Sequence, residues 1–276
     1  MFITSLIAMA GAIILRIVIT RQLGAAALGL YYLATQLAYI PSEVSSGVFG
    51  TVAFPMFSRL QSDPERIRRA FRTMVVGTAA LLYPACLLII VLAPVFVAEV
   101  LGPKWNGTET IIQILSVATM IGIFGDTVVA ILKGVGRPDK RMLMGLVQTL
   151  LLVISVSLLT REYGIIGAAL ASIPAVLVSQ IIGIIFVRQL MSQPFSKLGK
   201  PLTAVIFASL AGGATAFVVD KYVVGIIGLV VTAVVAVLST LAILWIANRK
   251  WSLGFIQDVM LMYPGITRYI RALDAK

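Results

Sequence analysis

The apolar residues of this chain occur in long runs separated by short polar links. Eight runs approach or exceed the roughly 20 residues that a helix needs to cross the hydrocarbon of a bilayer. No portion of the chain has a dominant strand pattern, so the sequence predicts an all-α, polytopic membrane protein. The predicted spans lie at about 2–20, 27–57, 73–98, 108–132, 142–160, 163–187, 201–219 and 222–247.

The composition supports this prediction. Of the 276 residues, 60% are hydrophobic and only 12% are charged, whereas soluble proteins have about 45–50% apolar and about 25% charged residues. The first run lacks a preceding basic segment and is interrupted by Arg16, so we expect a retained span and not a secretory signal. Because the chain starts directly inside an apolar run, we expect the later portion of a longer protein.

The basic residues predict the orientation. Seventeen of the 22 Lys and Arg residues fall in the tail and in the links after the second, fourth and sixth runs. Since cytoplasmic loops carry the excess of basic residues, both termini are predicted to be cytoplasmic. The basic cytoplasmic links account for the net charge of +11, so we expect no nucleic-acid partner. The links after the odd-numbered runs hold Arg21, Lys104, Arg161 and Lys221.

The chemistry that is missing excludes several classes of site. The chain has no histidine and one cysteine, Cys86, which excludes His-based zinc sites, Ser-His-Asp triads, Cys-His dyads and internal disulfides. A polysaccharide polymerase or ligase would carry a large extracytoplasmic loop, and every predicted outer loop is short. We therefore expect no metal, no cofactor and no enzymatic activity.

Two carboxylates lie within predicted spans. Glu43 follows Pro41 near the middle of its run, and Asp126 lies about two turns before Lys133. A carboxylate facing lipid is costly, so each should face a neighbouring helix or a watered cavity, where it can carry a coupling proton or cation. Pro41 favours a kink at this level. The alternative is that both carboxylates are structural hydrogen-bond partners and that Pro41 only bends a packed helix.

Arg16 lies about five residues from the end of its span. There it can face the bundle and attract an anionic substrate group, or its side chain can extend outward to the interface. Arg21 fits an interfacial anchor. The basic run Arg66–Arg72 can attract anionic headgroups, although topology alone explains it.

Three short motifs resemble those of bacterial polysaccharide flippases, members of the multidrug/oligosaccharidyl-lipid/polysaccharide exporter superfamily. The resemblance extends from about residue 10 to 190. The motifs are Leu28-Gly-Leu-Tyr-Tyr-Leu-Ala34 preceded by Gly24, Phe54-Pro-Met-Phe-Ser-Arg-Leu-Gln61 followed by Asp63-Pro-Glu-Arg66, and Leu132-Lys-Gly-Val-Gly-Arg137.

The resemblance implies a fold of two six-helix lobes around a central cavity, often followed by two extra helices. Residues 1–191 would be the second lobe, residues 192–248 the extra pair and residues 249–276 a cytoplasmic or interfacial tail. The first lobe is absent from this sequence. The implied partner is therefore a missing N-terminal lobe or a second chain.

The resemblance also implies a function. Family members move a lipid-linked oligosaccharide, commonly on an undecaprenyl carrier, across the bacterial inner membrane by alternating access. Their cavities tend to be basic, so Arg16, Arg21 and Tyr31 are candidate substrate contacts beside the coupling candidates Glu43 and Asp126. Other implied partners are membrane lipids and the glycosyltransferases and polymerase of the same pathway. The alternatives are a multidrug or lipid II exporter of the superfamily, or a non-transporting scaffold of a glycan-assembly complex.

Overall fold

The computed structural model describes residues 2–60, 63–191, 194–195, 198–221 and 225–251. These residues form eight α-helices, with a π-helical turn at Val97–Leu101 and a 3₁₀ turn at Pro103–Trp105 after the second helix. The helices are α1 Phe2–Leu60, α2 Pro64–Phe96, α3 Thr108–Ile121, α4 Ile123–Gly134, α5 Pro138–Leu170, α6 Ser172–Leu190, α7 Gly199–Asp220 and α8 Gly225–Trp251. The predicted all-α membrane fold is confirmed, and nearly all of the predicted tail lies outside the described residues.

Two glycines interrupt the longest helices. Gly24 has φ 87° and ψ 172° inside α1, and Gly164 has φ 59° and ψ −140° inside α5. L-residues with side chains rarely adopt positive φ, which explains glycine at both breaks. A Cβ at Gly167 would collide with the carbonyl of Leu159, so the chain folds back on α5 after Gly164. The backbone stays helical at Pro41, and the break in α1 lies at Gly24.

These breaks bear on the number of spans. Within the described part of the chain, six helices are long and apolar enough to cross a membrane, or seven if α3 and α4 form one bent span. The sequence predicts eight because α1 contains two of the predicted runs, one on each side of Gly24. Helix α2 begins as predicted: Pro64 occupies the first turn, and the Asp63 carboxylate accepts a hydrogen bond from the Arg66 backbone N–H at 3.1 Å.

Three apolar clusters hold the bundle together. One packs Phe57 of α1 against Phe71 of α2 and Ile131 of α4. A second lies further along the same helices and includes Tyr31 of α1 and Ile111 of α3. The third joins α7 to α2 through side chains that include Val205, Leu82 and Cys86. Burial of such side chains against neighbouring helices sets which face of each helix is left exposed.

Helices α7 and α8 pack closely on each other. A Cβ at Gly212 of α7 would collide with the Thr240 hydroxyl of α8, so glycine permits the close approach. The Thr215 and Ser239 hydroxyls share a hydrogen bond of 2.9 Å between the same helices. Small residues and interhelical hydroxyl bonds of this kind are typical of helix packing in membranes.

Candidate functional site

A polar cleft lies between the first two apolar clusters, where Asp126 is the shared wall of two cavities. Helices α1, α2 and α4 line the first, of about 200 Å³. Helices α1–α6 all contribute to the second, of about 220 Å³. Asp126 and Val129 line both cavities, so these two residues separate them.

The cleft carries hydroxyl, amide and charged groups. Arg141 and Ser46 lie within interaction range of the Asp126 carboxylate, and Lys133 lines the first cavity with it. Asp126 is exposed to the cleft, so a carboxylate inside a membrane bundle has here both a cation nearby and a cavity that can hold water. Other polar lining residues are Ser45, Thr78 and Thr127 in the first cavity and Tyr39, Ser42, Thr119, Gln148, Ser179 and Gln180 in the second.

The local sequence explains how Asp126 reaches this cleft. Helix α3 ends at Ile121 and α4 begins after Gly122, with an angle of 42° between the two segments. Glycine is a poor helix former, and Gly122 and Gly125 both lie at this bend. Asp126 falls in the first turn of α4, where the partial positive charge of the helix N-terminus favours a carboxylate.

The other predicted site residues lie elsewhere. Arg16 and Arg21 are exposed on the first half of α1. Tyr31 is 7% exposed and packs in the second cluster, and its exposed neighbour is Tyr32. Glu43 is exposed on the second half of α1. These four residues line neither of the two cavities, and their predicted roles stay predictions.

Glu43 belongs to a polar arc on α1, made of Gly29, Tyr32, Gln36, Glu43, Ser46 and Gly47. All six are exposed, and a helix with 3.6 residues per turn places them within about 100° of one another around its axis. Ser46 at one edge of this arc also lines the first cavity beside Asp126. The arc and the cleft therefore form one continuous polar surface.

Several cleft residues are not among the predicted site residues. The sequence pattern places Lys133 and Arg141 in a cytoplasmic link, and Gln148 and Gln180 inside apolar runs. A side-chain amide inside a membrane span also needs a hydrogen-bond partner, although it carries no charge. The sequence alone could therefore have indicated both glutamines as candidate cleft residues. The approach of Arg141 to Asp126, in contrast, depends on the packing of α5 on α4.

Comparisons with known proteins agree with this architecture. Residues 1–110 match the family described as "Polysaccharide biosynthesis protein". The lipopolysaccharide biosynthesis protein WzxC of Escherichia coli (strain K12) is 29% identical over 154 residues, covering 56% of this chain and 31% of WzxC. The teichuronic acid biosynthesis protein TuaB of Bacillus subtilis (strain 168) is 30% identical over 129 residues, covering 47% of this chain and 27% of TuaB.

A solved structure shares the fold. The lipid II flippase MurJ, in an inward closed conformation, superposes with a TM-score of 0.74 at 14% identity, covering 91% of this chain and 53% of MurJ. The alignments thus cover 31% of WzxC, 27% of TuaB and 53% of MurJ. The chain is thus a multi-pass membrane protein that is similar in sequence, over residues 1–110, to the polysaccharide biosynthesis family and that shares the fold of the MurJ structure.

Proposed function

We propose that the chain forms the C-terminal lobe of a transporter that flips a lipid-linked, undecaprenyl-type oligosaccharide across the inner membrane by alternating access. The observation that carries the proposal is the polar arc of α1, which is flanked by the exposed Ile40 and Val44 and is continuous with the Asp126 cleft, whereas α5–α8 expose apolar side chains along their middle. A polar helix face at membrane depth requires water or protein opposite it. The family match and the relatives in lipopolysaccharide and teichuronic acid biosynthesis support the substrate class.

Alternating access requires two bundles that move against each other around a shared site. The polar arc is the face that this lobe would turn toward a second six-helix bundle, supplied by the same polypeptide or by another chain. In this arrangement Arg16 and Arg21, both exposed on α1, are the candidate contacts for the anionic part of the carrier lipid. Tyr31 is packed in the core, so Tyr32 beside it is the better-placed aromatic contact.

Asp126 is the proposed coupling residue. Its carboxylate lines two cavities and has Arg141 within interaction range, so a proton or small cation can bind and leave during the transport cycle. Glu43 lies on the polar arc and would face the shared cavity. Glycosyltransferases and the polymerase of the same pathway are proposed partners because they would supply and consume the transported oligosaccharide.

The test is flipping in proteoliposomes. The protein, with its second bundle, is reconstituted with a fluorescent lipid-linked oligosaccharide, and an impermeant quencher reports the fraction on each face. We expect protein-dependent flipping that responds to an imposed ion gradient, with the gradient response lost in Asp126→Asn. Flipping of lipid II or of drugs but not of the oligosaccharide would refute the substrate class, and no flipping of any lipid would favour a scaffold.

A further inference from the structure

The break between α3 and α4 is held by a side chain from a third helix. The Gln180 side chain of α6 donates a hydrogen bond from Nε2 to the Gly122 carbonyl at 3.2 Å. The same carbonyl accepts the Gly125 backbone N–H at 2.9 Å, which closes the turn immediately before Asp126. Gln180 therefore ties the position of α6 to the turn that directs Asp126 into the cleft.

The other end of the Gln180 amide has no partner. Since Nε2 donates to the Gly122 carbonyl, the orientation of the amide is fixed, and Oε1 is buried without a hydrogen-bond partner among the described residues. Leaving a buried acceptor unsatisfied costs about 1–3 kcal/mol. Gln180 also lines the second cavity with Asp126 and Arg141, so the free oxygen is available to a donor that enters this cavity.

Because Gly125 has no side chain, the Gln180 amide can lie directly against it. A Cβ at Gly125 would lie 2.7 Å from Gln180 Nε2, which is too close for both groups to keep their positions. An alanine at this position would displace the amide without changing any atom of Gln180. The two residues therefore form a pair whose effects are not independent.

We infer that Gln180 is a positioning residue for Asp126: it fixes the break before the carboxylate, and its free Oε1 accepts a hydrogen bond from the hydrated species that Asp126 binds. This inference rests on the proposed coupling role of Asp126. The charged and titratable groups that share the cleft are Arg141 of α5, Lys133 of α4 and Tyr39 of α1. The lining residues from α2 and α6 carry no charge.

A double-mutant cycle tests the inference. Gln180→Ala and Gly125→Ala should each slow gradient-driven flipping by about tenfold, and the double variant should be no slower than either, because both changes remove one contact. Each should also move the pH of half-maximal flipping by about half a unit, since the surroundings of the carboxylate change. If Gln180→Ala does not fold, Gly125→Ala carries the test alone.

Gln113→Ala is the matched control. Gln113 of α3 donates from Nε2 to the Ile90 carbonyl of α2 at 2.9 Å, a carbonyl that Pro94 leaves without its helical N–H partner. It has the same chemistry as Gln180 but does not line the Asp126 cavities. We expect this variant to lose stability at most, with its pH profile unchanged.

A second readout does not depend on transport. Carbodiimide labelling of Asp126 in the purified chain, followed by mass spectrometry over a pH series, should show a displaced midpoint in Gln180→Ala and Gly125→Ala but not in Gln113→Ala. Unchanged midpoints, or a double variant slowed by about a hundredfold, the product of the single effects, would overturn the inference. If the wild-type protein flips no lipid, the proposed function fails, and the labelling still decides the role of Gln180.

Discussion

Two helices of this bundle expose faces of opposite chemistry. The second half of α1 exposes the polar arc, with Tyr32, Gln36 and Glu43 along it. Helix α5 exposes an apolar stripe made of Leu143, Leu146, Leu150, Ile154 and Leu158, at intervals of three or four residues. Within the hydrocarbon of the bilayer, a helix face in contact with lipid must be apolar, whereas a polar helix face must contact water or protein.

The difference between these two faces indicates which side of the bundle faces lipid and which side faces water or protein. Helices α6, α7 and α8 resemble α5, because the large side chains that they expose along their middle are apolar, as at Ile181, Phe207 and Leu238. These helices form an apolar outer surface that is suited to contact with lipid. The polar arc opens beside the Asp126 cleft through Ser46, and the candidate site therefore lies on the side that is not suited to lipid.

The largest expected effect comes from placing a charge on each face. Leu150→Arg puts a guanidinium on the apolar stripe near the middle of α5, which should cost about 2.5–3.5 kcal/mol of insertion free energy. Gln36→Arg puts the same group on the polar arc and should be tolerated. The measurement is the amount of monodisperse protein recovered from membranes after mild solubilisation.

Leu150→Phe controls for the change of size at that position, and we expect it to match the wild type. Equal losses of protein for Leu150→Arg and Gln36→Arg would contradict the distinction between the two faces. Equal tolerance of both would also contradict it, because the apolar stripe would then not face lipid.

A smaller effect on stability is expected when alanine replaces a glycine that is packed against another helix or a glycine on the polar arc. Gly212→Ala would collide with the Thr240 hydroxyl and approach the Ala236 carbonyl to 3.1 Å, so it should destabilise the bundle by about 1–3 kcal/mol. Gly29→Ala on the polar arc has no atom within 4 Å of the new Cβ and should gain roughly 0.5–1 kcal/mol from helix propensity. Thermal unfolding in detergent measures both changes, and a similar loss for the two variants would show that the arc is packed against protein.

Much of the fold follows from the sequence because the length and apolarity of a run decide whether it spans a membrane. The start of α2 is also predictable from the local sequence, since Asp63 and Pro64 act within one helical turn. The predicted runs at 2–20 and 27–57 place a boundary around Gly24, and α1 breaks there because φ 87° favours glycine. The backbone at Pro41, where the sequence favours a kink, stays helical. The length of the apolar runs thus predicts this break better than the position of the proline does.

The candidate site was only partly predictable. Asp126 stands out in the sequence as a carboxylate inside an apolar run, and the structure places it in the cleft, while its coupling role stays a prediction. Arg141 and Gln180 come from helices distant in sequence, and their approach to Asp126 and Gly122 depends on tertiary packing. Tyr31 belongs to the sequence signature but is buried in the core, because a residue in a motif can serve packing as well as binding.

The most direct test of the account asks which face meets water. In a Cys86→Ala background, single cysteines replace Gln36, Glu43, Leu150 and Ile154 in the membrane-embedded protein, and an impermeant maleimide is added to both sides. We expect the thiols at 36 and 43 to react at least about tenfold faster than those at 150 and 154, because the reactive thiolate forms in water and not in hydrocarbon. Equal rates at all four positions, or faster reaction at 150 and 154, would contradict the assignment of the polar arc as the wall of the transport cavity.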